Sequence, residues 1–377
     1  MIVADVVVIG SGIAGASVAC ELAAERGAGV FLLERESQPG YHTTGRSAAL
    51  FIKSYGNAVA RALTVASESF YLDPPDGFAE HPVLTPRGEL FVARADQLDE
   101  LDRALAEIRV QVPQAEKLDE RELRAIVPGL RPGYAAAGIH DADARDMDVH
   151  AILTGFLRLF RKRGGRTLFD SEVTAIERRA GAWEIRAGEQ TVAAPILVDA
   201  AGAWGDRVAA LAGARPLGIR PLRRTAFMVP APRGYDIGAW PGVSDIGEGW
   251  YIKPDAGRLL CSPADETPSE PCDAWPEEID VAIAVERIQE AIDIEVTRVE
   301  RSWAGLRTFA PDRSPVVGYD PRVEGFFWLV GQGGYGIQTA PAMARTAALL
   351  IDGAAADQVA LGSGLTARAL APERLAG

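Results

Sequence analysis

An α/β fold, in which a mostly parallel nucleotide-binding sheet is interrupted twice by an α+β unit on an antiparallel sheet, is predicted by three features of the 377 residues. Gly10-Ser11-Gly12-Ile13-Ala14-Gly15 joins an apolar β-branched run, Ile2 to Ile9, to a helical pattern, Ala14 to Arg26. Two later apolar runs, Ile196 to Asp199 and Phe326 to Val330, each end in a glycine turn, as strands buried on both faces do. Between them, Val83 to Ala93, Arg223 to Val229 and Gly249 to Leu260 alternate in character and are separated by Pro/Gly-rich loops, which reads as antiparallel strands.

Taken in order, Ile2–Ile9, Ala14–Arg26 and Val30–Leu33 form a βαβ unit. The stripe Val149, Ile152, Leu153, Phe156 and Phe160 predicts a core-packed helix whose end carries Arg161, Lys162 and Arg163, favourable to the helix dipole. Pro341 fits an early helical turn, where a missing N–H costs little. The Ala-rich tail from Ala354 reads as a surface appendage. These assignments divide the chain into a nucleotide-binding domain (1–80, 140–215 and 304–377) and a substrate domain (81–139 and 216–303).

Composition narrows the function classes. With 52 Asp and Glu against 39 Lys and Arg, the net charge of -13 repels phosphate backbones, so nucleic acid is excluded as a partner. The three cysteines, Cys20, Cys261 and Cys272, lie in no metal or disulfide spacing, so no metal is expected. No basic residue precedes Arg26, as a secretion signal would require, and no apolar run is long enough to span a membrane. A cytoplasmic location is therefore expected.

The glycine motif is a Rossmann-type fingerprint. Gly10 permits the tight turn, Gly12 the approach of a pyrophosphate, and Gly15 close packing of helix on strand. The helix start at Ile13 and Ala14 presents N–H groups to phosphate. Glu34, nineteen residues beyond Gly15, is placed for ribose hydroxyls, with Arg35 beside it. NAD and FAD share this half, so other segments must decide. Thr44-Gly45-Arg46-Ser47 offers a polar helix start, and Gly331 to Thr339 again joins a strand to a helix. That second helix start can stabilise negative charge on a reduced flavin, which favours FAD.

The stretches GSGIAG, GYHTTGRSAA, VDAAGAWGD and WLVGQGGYGIQTA resemble the FAD-dependent amine and amino-acid oxidoreductases, the family of glycine oxidase, sarcosine oxidase and D-amino-acid oxidase. GYHTTGRSAA, HPVLTPRGEL, WYIKPDAG and WAGLRTF further resemble its D-arginine dehydrogenase branch, which holds FAD noncovalently and accepts many D-amino acids. The resemblance implies cofactor contacts at Val173, Ala201, Gly202, Trp204, Gly305, Gly331, Gly333, Gly334, Tyr335, Gly336 and Ile337, besides the fingerprint residues.

Oxidising an α-amino acid means passing its Cα hydrogen as hydride to flavin N5, giving an imino acid that hydrolyses to a 2-oxo acid and ammonia. The protein must therefore clamp the carboxylate and orient Cα–H. Arg224 and Arg307 are the expected clamp, because a guanidinium fork binds carboxylate at two points. By the same resemblance Tyr55 and Tyr251 wall the site, Gly334 lies beside the substrate, and Glu89 is a counter-ion for a basic side chain. Leu50 and Ile52 replace a histidine and a threonine of that branch, and Gly242 replaces a methionine. Aliphatic walls favour apolar side chains, and Gly242 is expected to open extra volume. Broad use of basic and hydrophobic D-amino acids follows, with a quinone or another electron acceptor. No side chain stands out as an obligatory base, and water or a tyrosine hydroxyl serves; His42 reads as structural. The alternatives are a glycine- or sarcosine-type oxidase passing electrons to oxygen, and a flavoprotein without amine chemistry.

Overall fold

The computed structural model describes residues 1–375. Its central sheet has six strands in the order Arg166–Leu168, Val30–Leu33, Val6–Ile9, Ile196–Asp199, Phe326–Val330 and Val316–Tyr319. All neighbours are parallel except the last pair. The helices Ile13–Arg26, Val149–Lys162 and Gly336–Ile351 pack on one face, their apolar residues joining Val8, Leu32, Val198 and Phe327 in one core. On the other face a four-stranded sheet contributes Ile176, Trp183 and Ile185 to a second core with Val7, Phe31 and Trp328. The two faces explain why these strands read as unbroken apolar runs.

The run Ile2 to Ile9 is not one strand. Ile2–Val3 pairs with Val192 and Ala193 in the four-stranded sheet, and Val6–Ile9 enters the central one. The switch falls at Asp5, whose N–H donates to the Gly29 carbonyl at 2.8 Å. A polar residue that must meet a loop cannot continue a buried strand.

A ten-stranded sheet forms the other half. It runs from Gln332–Gly333 through Arg301–Phe309, Arg220–Pro230, Arg258–Ser262, Tyr251–Asp255, Gly242–Asp245, Glu89–Ala93 and Ala137–Asp141 to Glu116–Asp119, with Thr267–Pro268 at the side. All pairs are antiparallel except Gly242–Asp245 with Glu89–Ala93. Two expected boundaries, 139/140 and 303/304, fall inside the strands Ala137–Asp141 and Arg301–Phe309. Hydrogen-bond ladders carry this sheet past both points. Glu89–Ala93 is buried throughout because Leu90 and Val92 face one core while Phe91 and Ala93 face another.

Two further expectations are corrected. Pro341 sits in the body of the helix Gly336–Ile351, not in its first turn. The N–H it lacks would have reached Ile337, four residues back. The Tyr71 hydroxyl donates to that carbonyl instead, and Ala342 N donates to Ser67 Oγ at 3.1 Å. The neighbouring helix Ala58–Leu72 thus repairs the break. The tail from Ala354 is no appendage either: Leu361, Ala367 and Leu370 are fully buried against Val317 and Leu350, because the end of the helix core would otherwise lie open. Ala376 and Gly377 of that tail lie outside the described residues.

Candidate active site

The two sheets meet along a cavity of about 480 Å³ that opens into a second of about 240 Å³. Ser47, Ala48, Arg224, Tyr251, Arg307, Gly334 and Ile337 line both, so the two spaces are one groove with two ends.

The larger end is built from the fingerprint. Gly10 has φ +98°, and a Cβ there would come within 2.6 Å of the Ala200 carbonyl. At Gly15 it would stand 1.8 Å from the Gly10 carbonyl oxygen, so only glycine lets helix and strand touch. Thr44 Oγ1 accepts from Ile13 N at 3.0 Å, so the first N–H of Ile13–Arg26 is taken, while the N-cap residues of Ile13–Arg26 and Gly336–Ile351 make no side-chain cap of their own. Both helix starts face the cavity with N–H groups available to an anion. Glu34, 8% exposed, accepts from Ser11 N and Ser11 Oγ at 2.8 Å and from Glu36 N at 3.0 Å. Arg35 lies over the Trp204 ring, 5.0 Å from its centroid, and His42 packs on the same indole while bonding Glu36 at 2.9 Å. His42 is thus held against the indole on the wall of the larger cavity.

Most of the expected cofactor residues border this end: Gly10, Gly12, Ile13, Ala14, Glu34, Arg35, Thr44, Arg46, Ser47, Val173, Ala201, Gly202, Trp204, Gly305, Gly333, Gly334, Gly336 and Ile337. Gly15, Gly45, Gly331 and Tyr335 are not on its wall. They act from behind. Gly45 lies on the Gly40 carbonyl, where a Cβ would come within 2.6 Å, and Gly331 turns the chain at φ +77°. Tyr335 is buried against Tyr55 and Phe309. A long groove with a helix start at each side and a buried acid near one end fits a dinucleotide with an anionic middle.

The substrate end is built from strand register. Arg220–Pro230 and Arg301–Phe309 pair with Leu222 opposite Arg307 and Arg224 opposite Gly305. Arg224 and Arg307 therefore sit diagonally on one face. Arg223, one residue away, points to the other face and pairs with Asp280 at 2.8 Å. Among the described residues Arg307 has no carboxylate within 4.0 Å, and its Nη1 donates to the Tyr55 hydroxyl at 3.0 Å. Gly334 makes room for it, since a Cβ there would meet Arg307 Nη1 at 2.7 Å. Arg224 is fixed by the Asp265 carbonyl at 2.7 Å and by Glu266 at 3.3 Å. Glu266 is itself taken by Arg313 at 2.8 and 3.0 Å, so its charge is largely spent elsewhere.

Glu89 borders the smaller cavity, 1% exposed. Its Oε1 accepts from Ser244 Oγ at 2.6 Å, while Oε2 is buried without a partner. Burial pushes its carboxyl up to about 8; the Ser244 hydroxyl opposes this, Asp141 and Asp146 add to it, and Lys253 opposes it. Lys253 is bonded to Asp146 at 2.9 Å and does not neutralise Glu89. Leu50 and Ile52 line the same cavity. Gly242 does not open volume, which corrects the expectation: a Cβ there would stand 2.0 Å from Glu89 Oε2. The bare backbone admits the carboxylate. Ser244, which holds Glu89, lies in no motif and could be found only from the strand that places it, whereas Ser11, which holds Glu34, is a variable position of the glycine fingerprint.

Fold and groove together fit a flavin-dependent oxidoreductase. The chain belongs to the DAO family of FAD dependent oxidoreductases, whose family model matches residues 5–350. It is 24% identical over 367 residues to the uncharacterized oxidoreductase YurR of Bacillus subtilis, covering 92% of this chain and 94% of that protein. Among solved structures, glycine oxidase from Geobacillus kaustophilus superposes with a TM-score of 0.83 at 22% identity, covering 93% of this chain and 95% of that one. L-proline dehydrogenase from P. horikoshii superposes with a TM-score of 0.85 at 20% identity, covering 100% and 98%. FAD is the cofactor. No helix among the described residues is long and apolar enough to cross a membrane.

Proposed function

We propose that this enzyme oxidatively deaminates D-amino acids to 2-oxo acids and ammonia, with basic and hydrophobic side chains both accepted. Bound FAD supplies the two-electron acceptor. Arg224 and Arg307 bind the carboxylate, Tyr55 and Tyr251 close around it, and the side chain runs toward Leu50, Ile52 and Glu89. One observation carries the side-chain reading: Glu89 Oε2 is buried, unpartnered and beside the cavity. A guanidinium or ammonium there would satisfy the orphaned oxygen. With an apolar substrate the carboxyl stays protonated, and the aliphatic walls accept the side chain. No histidine lines the smaller cavity among the described residues, so the amine proton leaves to water or a tyrosine hydroxyl.

The fingerprint, the two helix starts and the Arg224–Arg307 diagonal support residue roles drawn from the resemblance to D-arginine dehydrogenases. Steady-state assays with D-Arg, D-Lys, D-Leu, D-Phe and D-Met and an artificial electron acceptor test the proposal. Turnover of both a basic and an apolar member is expected, and inactivity on all five would sink it. Peroxide formation in air would assign oxygen, rather than a quinone or other acceptor, as the oxidant.

A further inference from the structure

Tyr55 lies in a stretch with almost no regular structure of its own. Leu50–Phe51 is a two-residue strand, the next helix begins at Ala58, and no ladder holds residues 52–57. Side chains hold it instead. Gln338 Oε1 accepts from Ile52 N at 3.3 Å, and Arg61 Nη1 donates to the Gly56 carbonyl at 2.7 Å. Between these, Ser54 Oγ donates to Asp141 Oδ2 at 2.7 Å, with Ser54 4% exposed and Asp141 fully buried. Asp141 stands directly across the ladder from Glu89, so the two acids share one face of the sheet.

A second buried carboxylate beside Glu89 is unfavourable in itself. Asp141 has no cation within 4.0 Å among the described residues; its other oxygen accepts from Asp143 N at 3.2 Å. A neutral residue would serve a plain strand better. What the carboxylate does gain is a short bond to the residue preceding Tyr55. We infer that Asp141, acting through Ser54, is a positioning residue that fixes Tyr55 where its hydroxyl meets Arg307, and so sets the geometry of the carboxylate clamp. The substrate sheet and the helix bearing Gln338 then hold the Tyr55 segment from two sides.

The inference rests on Arg307 being part of a carboxylate clamp, and the test separates the two. The holoenzyme is titrated with 4-methyl-2-oxopentanoate, the 2-oxo acid expected from D-leucine, and binding is read from the visible absorbance of the bound flavin. Ser54→Ala is expected to weaken binding about tenfold, the scale of one buried hydrogen bond. Ser54→Thr, which keeps the hydroxyl, restores it to within about threefold, and Asp141→Asn, which keeps an acceptor oxygen, does the same. In a Tyr55→Phe background the clamp has already lost that hydroxyl, and Ser54→Ala then changes binding less than about twofold. A tenfold loss in both backgrounds would show Ser54 acting on the structure at large and overturn the inference. So would wild-type binding in Ser54→Ala. If the wild-type enzyme itself binds no 2-oxo acid, the clamp reading fails and the inference falls with it.

Discussion

At the nucleotide end of the groove the shape is set by backbone, with glycines that touch carbonyls on and behind the wall and two helix starts that face the space. At the substrate end the groups that face the space are side chains: two arginines, Tyr251 and one acid aimed by strand register, and Tyr55 from a loop beside them. The two buried acids show the contrast. Glu34 accepts two hydrogen bonds from Ser11 in the glycine turn and one from Glu36 N, and Glu89 keeps one oxygen without any. A backbone cradle suits a ligand that never changes. Side chains with unmet bonding capacity suit one that comes and goes, and their identity decides which one enters.

The largest effect expected is at the backbone end. Gly15→Ala drives a methyl into the Gly10 carbonyl, so the purified variant is predicted to carry almost no FAD, read from its ratio of visible to ultraviolet absorbance. Retention of full flavin would break the contrast. Next comes Arg307→Lys, which replaces a fork by a point charge and should lower kcat/KM about a hundredfold or more for every substrate, with flavin content unchanged. Unequal losses between D-Arg and D-Leu would mean that Arg307 reads the side chain instead.

Glu89→Gln is smaller and selective. It should reduce kcat/KM for D-Arg about tenfold while sparing D-Leu. The wild type adds a pH signature. Glu89, held up to about 8 by burial, ionises as pH rises, so the ratio of kcat/KM for D-Arg to that for D-Leu should climb between about pH 7 and 9. Taking the ratio removes the amine ionisation common to both substrates. In Glu89→Gln the ratio should be flat, and a climb that persists would place the titrating group elsewhere. The smallest effect is at Tyr71→Phe, which leaves the Ile337 carbonyl unsatisfied behind Pro341. A loss of about 1–3 kcal/mol in stability is expected with kcat unchanged, read by thermal melting and steady-state rates.

The same contrast governs what the sequence made legible. The helix after Gly12 was readable to within one residue, because turn, close approach and helix start are each encoded by a local residue type. Strand runs such as Ile196–Asp199 and Phe326–Val330 were equally plain, being apolar on both faces. Register was not legible. Ile2–Val3 and Val6–Ile9 look continuous in sequence although Asp5 sends them to different sheets. Gly242 reads as missing volume until the parallel pairing with Glu89 puts a carboxylate in that space. Pro341 reads as an early turn because its compensating partner, Tyr71, is 270 residues away in sequence. The Ser54–Asp141 bond likewise exists only once the strand opposite Glu89 is in place.

The central claim is that the side-chain end of this groove admits D-amino acids, both basic and apolar. Anaerobic mixing of the yellow holoenzyme with a panel of D- and L-amino acids, glycine and sarcosine reads stereochemistry and side-chain choice from loss of the flavin's visible absorbance. Bleaching by D-Arg and D-Leu, with their L-enantiomers inert, is the predicted result. Bleaching by glycine, sarcosine or the L-series, with the D-series inert, would contradict it.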